Sequence, residues 1–180
     1  MIIGLTGVMT FVLPANRHEI SFSPARRNLM SGGGALVLTA LAGCGSLPRH
    51  GPGGGASTAS RQTMDGIRTA EGLALVSPDH QLEQAALQQA QYMAASGRMN
   101  HTTGFGKDFQ ARVKGNGIRG AAAENIAEGR MDAARAIDMW MNSPPHRRNM
   151  LDGRFRRFGL AWATRPERPE WRYWAMILAS

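Results

Sequence analysis

The chain has 180 residues, 43% of them hydrophobic and 7% aromatic, which is enough for one domain with a real core and too little for two. Its 21 Lys and Arg outnumber 13 Asp and Glu, and the resulting +8 with a pI near 11.1 suits a nucleic-acid binder, an anionic-surface binder or a basic soluble protein without choosing among them. Cys44 is the single cysteine, so an intrachain disulfide and a cysteine-based zinc site are excluded.

Residues 1–43 read as a leader. Arg26 and Arg27 precede an uncharged Gly/Ala/Leu-rich run over 29–43, shorter than the roughly 20 residues that span a bilayer. The run ends in Leu41, Ala42, Gly43 and Cys44, which resembles a bacterial lipobox, and that likeness implies acylation of Cys44 as the first residue of the mature chain. Ala25 to Met30 loosely resembles a twin-arginine export signal. The apolar run 1–13, broken by Pro14, sits ahead of this signal and points to a translation start downstream of Met1. Residues 45–55 are rich in Gly and Pro; the tether is taken as 44–57 and the domain as 58–180. The expected protein is therefore exported and membrane-anchored through Cys44, on the periplasmic or extracellular side. Loss of 1–43 removes three Arg and one Glu, leaving 18 basic and 12 acidic side chains, a net +6. Export argues against nucleic acid as a partner; the positive field would face envelope lipid or wall polymer instead.

Within the domain, a helix is predicted over 58–71 with Gly72 as its stop. Ser77, Pro78 and Asp79 form a capping sequence for a second helix over 79–96. There Leu82, Ala86, Ala90, Met93 and Ala94 recur at helical spacing until Gly97. His101 follows in a loop past that helix end, a position from which a side chain can reach a cleft. Residues 105–113 suggest another turn or two of helix, and 115–120 a connection. Glu124 then stands among Ala121, Ala122, Ala123, Asn125, Ile126 and Ala127. A carboxylate in such company must be paired, hydrogen-bonded or metal-bound, because burying it alone is very costly.

Asp132 caps the next helix, whose inward stripe is Ala133, Ala136, Ile137, Trp140 and Met141. It ends near Asn142, ahead of two prolines. Ser143 is expected to cap a short helix with Pro144 at its first position, its hydroxyl accepting from free backbone amides. That puts His146 in the opening turn, where the helix dipole keeps the imidazole neutral and able to bind a metal or take a proton. Trp140 and Asn149 read as structural. Arg147, Arg148, Arg154, Arg156 and Arg157 crowd eleven residues, either as a solvated face or as a dock for anionic envelope polymers. Strands over 158–164 and 171–178, joined by the polar loop 165–170, form an antiparallel hairpin. One face carries Trp171, Tyr173, Ala175 and Ile177, the other Arg172, Trp174, Met176 and Leu178. Both are largely apolar, so helices are expected on each side, as in an α-β-α sandwich.

Taken in order, these segments resemble bacterial members of the CAP superfamily: His101 after a helix stop, Glu124 to Ala127, the Trp140 to Leu151 run, the Phe158, Gly159, Leu160 strand and the Tyr173, Trp174 pair. Such proteins carry the SCP domain shared with cysteine-rich secretory, antigen-five and plant pathogenesis-related proteins. The resemblance covers about 64–179. It implies an α+β fold, a secreted three-layer α-β-α sandwich with a central cleft holding two His and, in many members, two Glu. By position His101 matches the first histidine, Glu124 the first acid and His146 the second histidine. The position of the second acid holds Ser143, and the disulfides of eukaryotic members are absent.

The resemblance implies that His101, Glu124, Ser143 and His146 line a cleft for a lipid, sterol, peptide or wall glycan in a monomer, with zinc on His101 and His146 as the candidate cofactor. The alternative is a hydrolase acting on wall or peptide substrates. A metal-dependent version would use two His and Glu124 as ligands with water in the fourth place, and would then lack a carboxylate to act as base. A metal-free version would use Glu124 and a histidine, such as His146, as an acid-base pair. Ser143 as a nucleophile conflicts with its expected cap bond. The missing second acid favours binding, and the chain is not assigned as an enzyme.

Overall fold

A computed structural model describes residues 9–12, as backbone, and 50–180. Cys44, its lipobox, the export signal and residues 44–49 of the tether lie outside the described residues. The rest of the expected tether is in part built into the domain: Gly53–Gly55 form a short strand paired with Ala161–Ala163, and Ser57 is buried, because glycines without side chains let this backbone lie against the sheet edge. Eleven elements are described in the order β1 (Met9–Val12), β2 (Gly53–Gly55), α1 (Arg61–Ala70), β3 (Ser77–Pro78), α2 (His80–Ser96), α3 (Phe109–Gly115), β4 (Ala121–Gly129), α4 (Ala133–Met141), α5 (Pro144–Met150), β5 (Arg157–Arg165) and β6 (Arg168–Ala179). The strands form one sheet in the order β1-β4-β6-β5-β2, with β3 running parallel to the start of β5.

The hairpin of β5 and β6 lies at the middle of this sheet, and its two faces divide the core. Leu82, Ala86 and Met93 of α2 pack with Phe109, Ile126, Tyr173 and Ile177 on one side. On the other, Ile137 and Trp140 of α4 and Met150 of α5 pack with Met64, Phe158, Leu160, Trp174 and Met176. The alternation read along residues 171–178 is the one observed, and the architecture is the expected α-β-α sandwich. The strands are longer than predicted, because the polar residues Arg168 to Glu170 continue the β6 ladder and the turn shrinks to Pro166 and Glu167.

Helix ends follow local chemistry. The Asp79 carboxylate accepts from the Leu82 amide at 2.9 Å and Gly97 closes α2 at φ 65°, a left-handed conformation suited to glycine. Ser77 and Pro78 are not part of that cap; they make the short strand β3 beside Arg157 and Phe158. Asp108 and Asp132 cap α3 and α4 in the same manner as Asp79. The sequence reading assigns no element to residues 121–129. They form a strand buried on both faces, where Ala122, Glu124 and Ile126 share one side and Ala123, Asn125 and Ala127 the other.

The arginine cluster is mostly neutralised in place. Arg147 pairs with Glu71, Arg154 with Asp152 and Arg157 with Asp79, while Arg156 donates to the carbonyls of Gly153 and Phe155. This favours the solvated-face reading over a continuous cationic dock. An unforeseen cation is Arg68, fully buried, whose guanidinium donates to the carbonyls of Ala74, Met150, Asp152 and Phe155 and so ties α1 to the segment after α5.

Candidate functional site

β4 gathers the predicted site residues into two hydrogen-bonded pairs. On the α2 and α3 side, His101 Nδ1 lies 2.7 Å from Glu124 Oε1. A carboxylate facing a cation only accepts, so the proton of this bond sits on His101 Nδ1. Glu124 is 0% exposed, and its two oxygens each accept from the Arg112 Nη2 at 2.7 Å. Arg112, itself buried, also donates through Nη1 to the carbonyls of His101 and Lys107, so one side chain neutralises the acid and braces the loop that carries the histidine. Gln89 helps, donating to the Asn100 carbonyl at 2.7 Å.

Sequence reasoning passed over Arg112. The available signal was physical: an acid flanked by alanines needs a counter-charge, and Arg112 is the arginine of an amphipathic turn that shares its buried face with Phe109 and Val113.

The second pair sits on α5. Ser143 occupies the N-cap position of that helix, yet its hydroxyl makes no cap bond. Pro145 has no amide proton to offer at the second helical position, and in place of the third-position amide that Asp79, Asp108 and Asp132 bind, the hydroxyl meets His146 Nδ1 at 2.8 Å. The expected cap bond, and the objection to a Ser143 nucleophile built on it, are therefore both corrected. His146 is 1% exposed and its Nε2 has no hydrogen-bond partner. Burial, and after it the charge of His101, push its imidazole below the ordinary value. The direction agrees with the expectation from the helix dipole, but the cause is different. Asn125 on β4 donates to the His146 carbonyl at 3.2 Å, and Asn149 donates to Asn125 Oδ1 at 2.9 Å, which stitches α5 onto the strand that holds Glu124.

Two predictions arise here. Ser143→Ala leaves both ring nitrogens of a buried histidine without protein partners, and should lower stability by about 1–3 kcal/mol in chemical denaturation. The second concerns pH. An unfolded histidine titrates near ~6.5 whereas His146 in the fold titrates lower, so below that pH the unfolded chain binds more protons. Stability from the neutral ring is complete above about 6.5 and is lost as pH falls through the folded value; the acid-side decline should be smaller in His146→Gln.

The exposure of the four predicted residues differs sharply. The side chain of His101 is 12% exposed, that of Glu124 is 0%, and Ser143 and His146 are buried. His101 is the member that reaches solvent. Four residues further on, Phe105 stands fully exposed between Gly104 and Gly106. A separate open groove of about 500 Å³ is lined by Met141, Asn142, Pro144, Arg147, Arg148 and Leu151, and none of the paired residues faces it.

A zinc centre does not fit this donor set. Among the described residues no three His, Cys, Asp or Glu are grouped as a metal ion requires. The one acid near the histidines has both oxygens held by Arg112 and one also by His101. Two imidazoles fall short of the three or four protein ligands of a zinc site.

The profile of the family described as "CAP: Cysteine-rich secretory protein family" matches residues 62–178. The chain belongs to this family. Among curated proteins no match is found. Solved structures of similar fold include an extracellular SCP-domain protein of Bacillus anthracis, with 22% identity over 68% of this chain and 41% of the other, at TM-score 0.57. An outer surface protein of Borrelia burgdorferi shows 17% identity over 71% of this chain and 96% of the other, at TM-score 0.61. A cysteine-rich secretory protein of Staphylococcus aureus shows 17% identity over 68% and 37%, at TM-score 0.51. The chain thus spans less than half the length of the Bacillus and Staphylococcus proteins.

Proposed function

We propose that this chain is an exported envelope protein, anchored by an acyl group on Cys44, whose CAP domain binds a lipid, peptide or wall-glycan ligand at the β4 edge through His101. The observation that carries the binding reading is the complete burial of Glu124 under Arg112 and His101. An acid so held orients an imidazole; it neither reaches a substrate nor exchanges protons with one. His101 is then the contact residue, with a fixed tautomer and a braced backbone. Export is supported by the leader-like 1–43 segment and by the extracellular, outer-surface and secretory descriptions of the three similar structures. The net positive charge supports an anionic envelope environment.

A screen of purified protein against lipid, peptide and glycan panels tests this. Ligand capture should fall at least about tenfold in His101→Ala, the scale of losing one charge-assisted or well-placed hydrogen bond. Capture unchanged by that substitution would refute His101 as the contact. Mass spectrometry of the mature N-terminus tests the anchor, and an unacylated Cys44 would refute it.

The hydrolase alternative has one observation in its favour. Ser143 Oγ and His146 Nδ1 are in hydrogen-bond contact beside a ring kept neutral, the first two parts of a nucleophile and base. Against it, no third group orients His146 through Nε2. Turnover of a peptide or muropeptide lost in Ser143→Ala would establish this alternative over simple binding.

A further inference from the structure

The strand that holds Glu124 has β6 along one side, over Ala122–Gly129. Along the other side, Ala121–Glu124 is paired with Met9–Val12 in antiparallel register, Met9 opposite Glu124 and Val12 opposite Ala121. Those four partner residues belong to the segment that the leader reading removes. We infer that the β4 edge at Ala121–Glu124 is a docking site for an extended peptide, kept closed in the full-length chain by its own Met9–Val12 strand.

The inference rests on the cleft reading and deepens it by naming peptide as the ligand class. An open strand edge presents a row of backbone donors and acceptors, and addition of a strand is a recurring way a protein satisfies them with a partner. Pairing geometry then sets what meets the site. A docked residue opposite Ala122 or Glu124 shares the face of the His101 and Arg112 network, and one opposite Ala121 or Ala123 shares the face of α4 and α5. Three of the four edge positions are alanine, which leaves room beside them for large side chains on the incoming strand. The fourth, Glu124, is already neutralised by Arg112, so the edge does not demand a basic peptide. Backbone pairing with roomy, uncharged neighbours selects extended, uncharged, β-prone sequences, and Met-Thr-Phe-Val is one. Loss of that segment, by cleavage at Cys44 or by a translation start downstream of it, would therefore leave a binding edge open next to His101.

The test uses the full chain and a labelled synthetic peptide of residues 6–13, Thr-Gly-Val-Met-Thr-Phe-Val-Leu. The double substitution Thr10→Pro with Phe11→Pro removes a ladder donor whichever of the two faces β4, since alternate residues of an edge strand point their amides across the pair. The altered chain should bind the peptide about tenfold or more tightly than the parent, whose tethered strand competes at high effective concentration. The same peptide N-methylated at alternate residues should not bind, and hydrogen exchange should show new protection within Ala121–Glu124. Equal peptide affinity for parent and altered chain, undiminished binding of the N-methylated peptide, or protection elsewhere would overturn the inference. So would self-association of the altered chain without peptide uptake, which would assign the edge to a second copy. The two readings fail separately: peptide binding unaffected by His101→Ala refutes the cleft contact and spares the edge, whereas a His101-dependent lipid or glycan ligand with no peptide binding does the reverse.

Discussion

Arg112→Met is expected to be among the most destabilising single substitutions in the domain, lowering stability by about 3–5 kcal/mol, the usual cost of stranding one member of a buried ion pair. Glu124 is wholly enclosed, and apart from the His101 ring its oxygens depend on the Arg112 guanidinium. In thermal unfolding the loss should appear as a fall in Tm of about 10 °C or more. Lysine should rescue only part of it. An ammonium restores the charge but cannot reach the acid and the carbonyls of His101 and Lys107 at once. The diagnostic variant is the double Arg112→Met with Glu124→Met, which removes both charges and should recover most of the stability while freeing His101 from its orienting partner. If Arg112→Met alone unfolds no more easily than the parent, the acid is not held in the way described.

Gly159→Ala should have an effect of similar size for a different reason. A Cβ on Gly159 would stand 2.1 Å from the Glu83 nitrogen and the Leu82 carbonyl carbon, so it meets backbone and not a side chain that could swing away. Helix α2 rests directly on β5 at this point, and the whole helix must lift to admit one methyl group. The cost should lie at or above the upper end of the about 1–3 kcal/mol typical of overpacking. Because α2 leads into the Asn100 and His101 loop, ligand capture should fall with stability. By contrast Gly66, with nothing within 4 Å of its would-be Cβ, should accept alanine and gain up to about 1 kcal/mol in helix propensity; urea denaturation of the two variants side by side makes the comparison.

The contrast between these two sites shows where the sequence was legible. Periodicity exposed α2, α4 and the β5 and β6 hairpin, and alternation along Trp171 to Leu178 revealed that the sheet is covered on both faces. The cap was legible at Asp132, where a single carboxylate precedes the helix; at 77–79 the reading of a Ser77 and Pro78 cap gives way to Asp79 alone, because Ser77 and Pro78 pair with β5. Ser143 defeated the same logic, since the ring of a histidine three residues on takes the hydroxyl in place of the third-position amide that the aspartate caps bind. β4 was harder still. Three alanines, an acid and an amide give neither a helical nor an alternating hydrophobic signal, and the strand is held by partners remote in the chain: β6, Arg112, His146 and Asn149. The residues of the candidate site could be listed from their order along the chain. Their division into an oriented histidine and a buried one could not, because it depends on which side of β4 each approaches.

The central claim is that Glu124, held by Arg112, fixes the His101 ring with its proton on Nδ1. Nitrogen-15 spectroscopy of the histidine rings at about pH 8, where free imidazoles are neutral, reads this directly. A protonated Nδ1 and an unprotonated Nε2 on His101, with the Nδ1 preference weakened in the Arg112→Met with Glu124→Met variant, is the predicted result. A proton on Nε2, or a tautomer indifferent to loss of the pair, would contradict it.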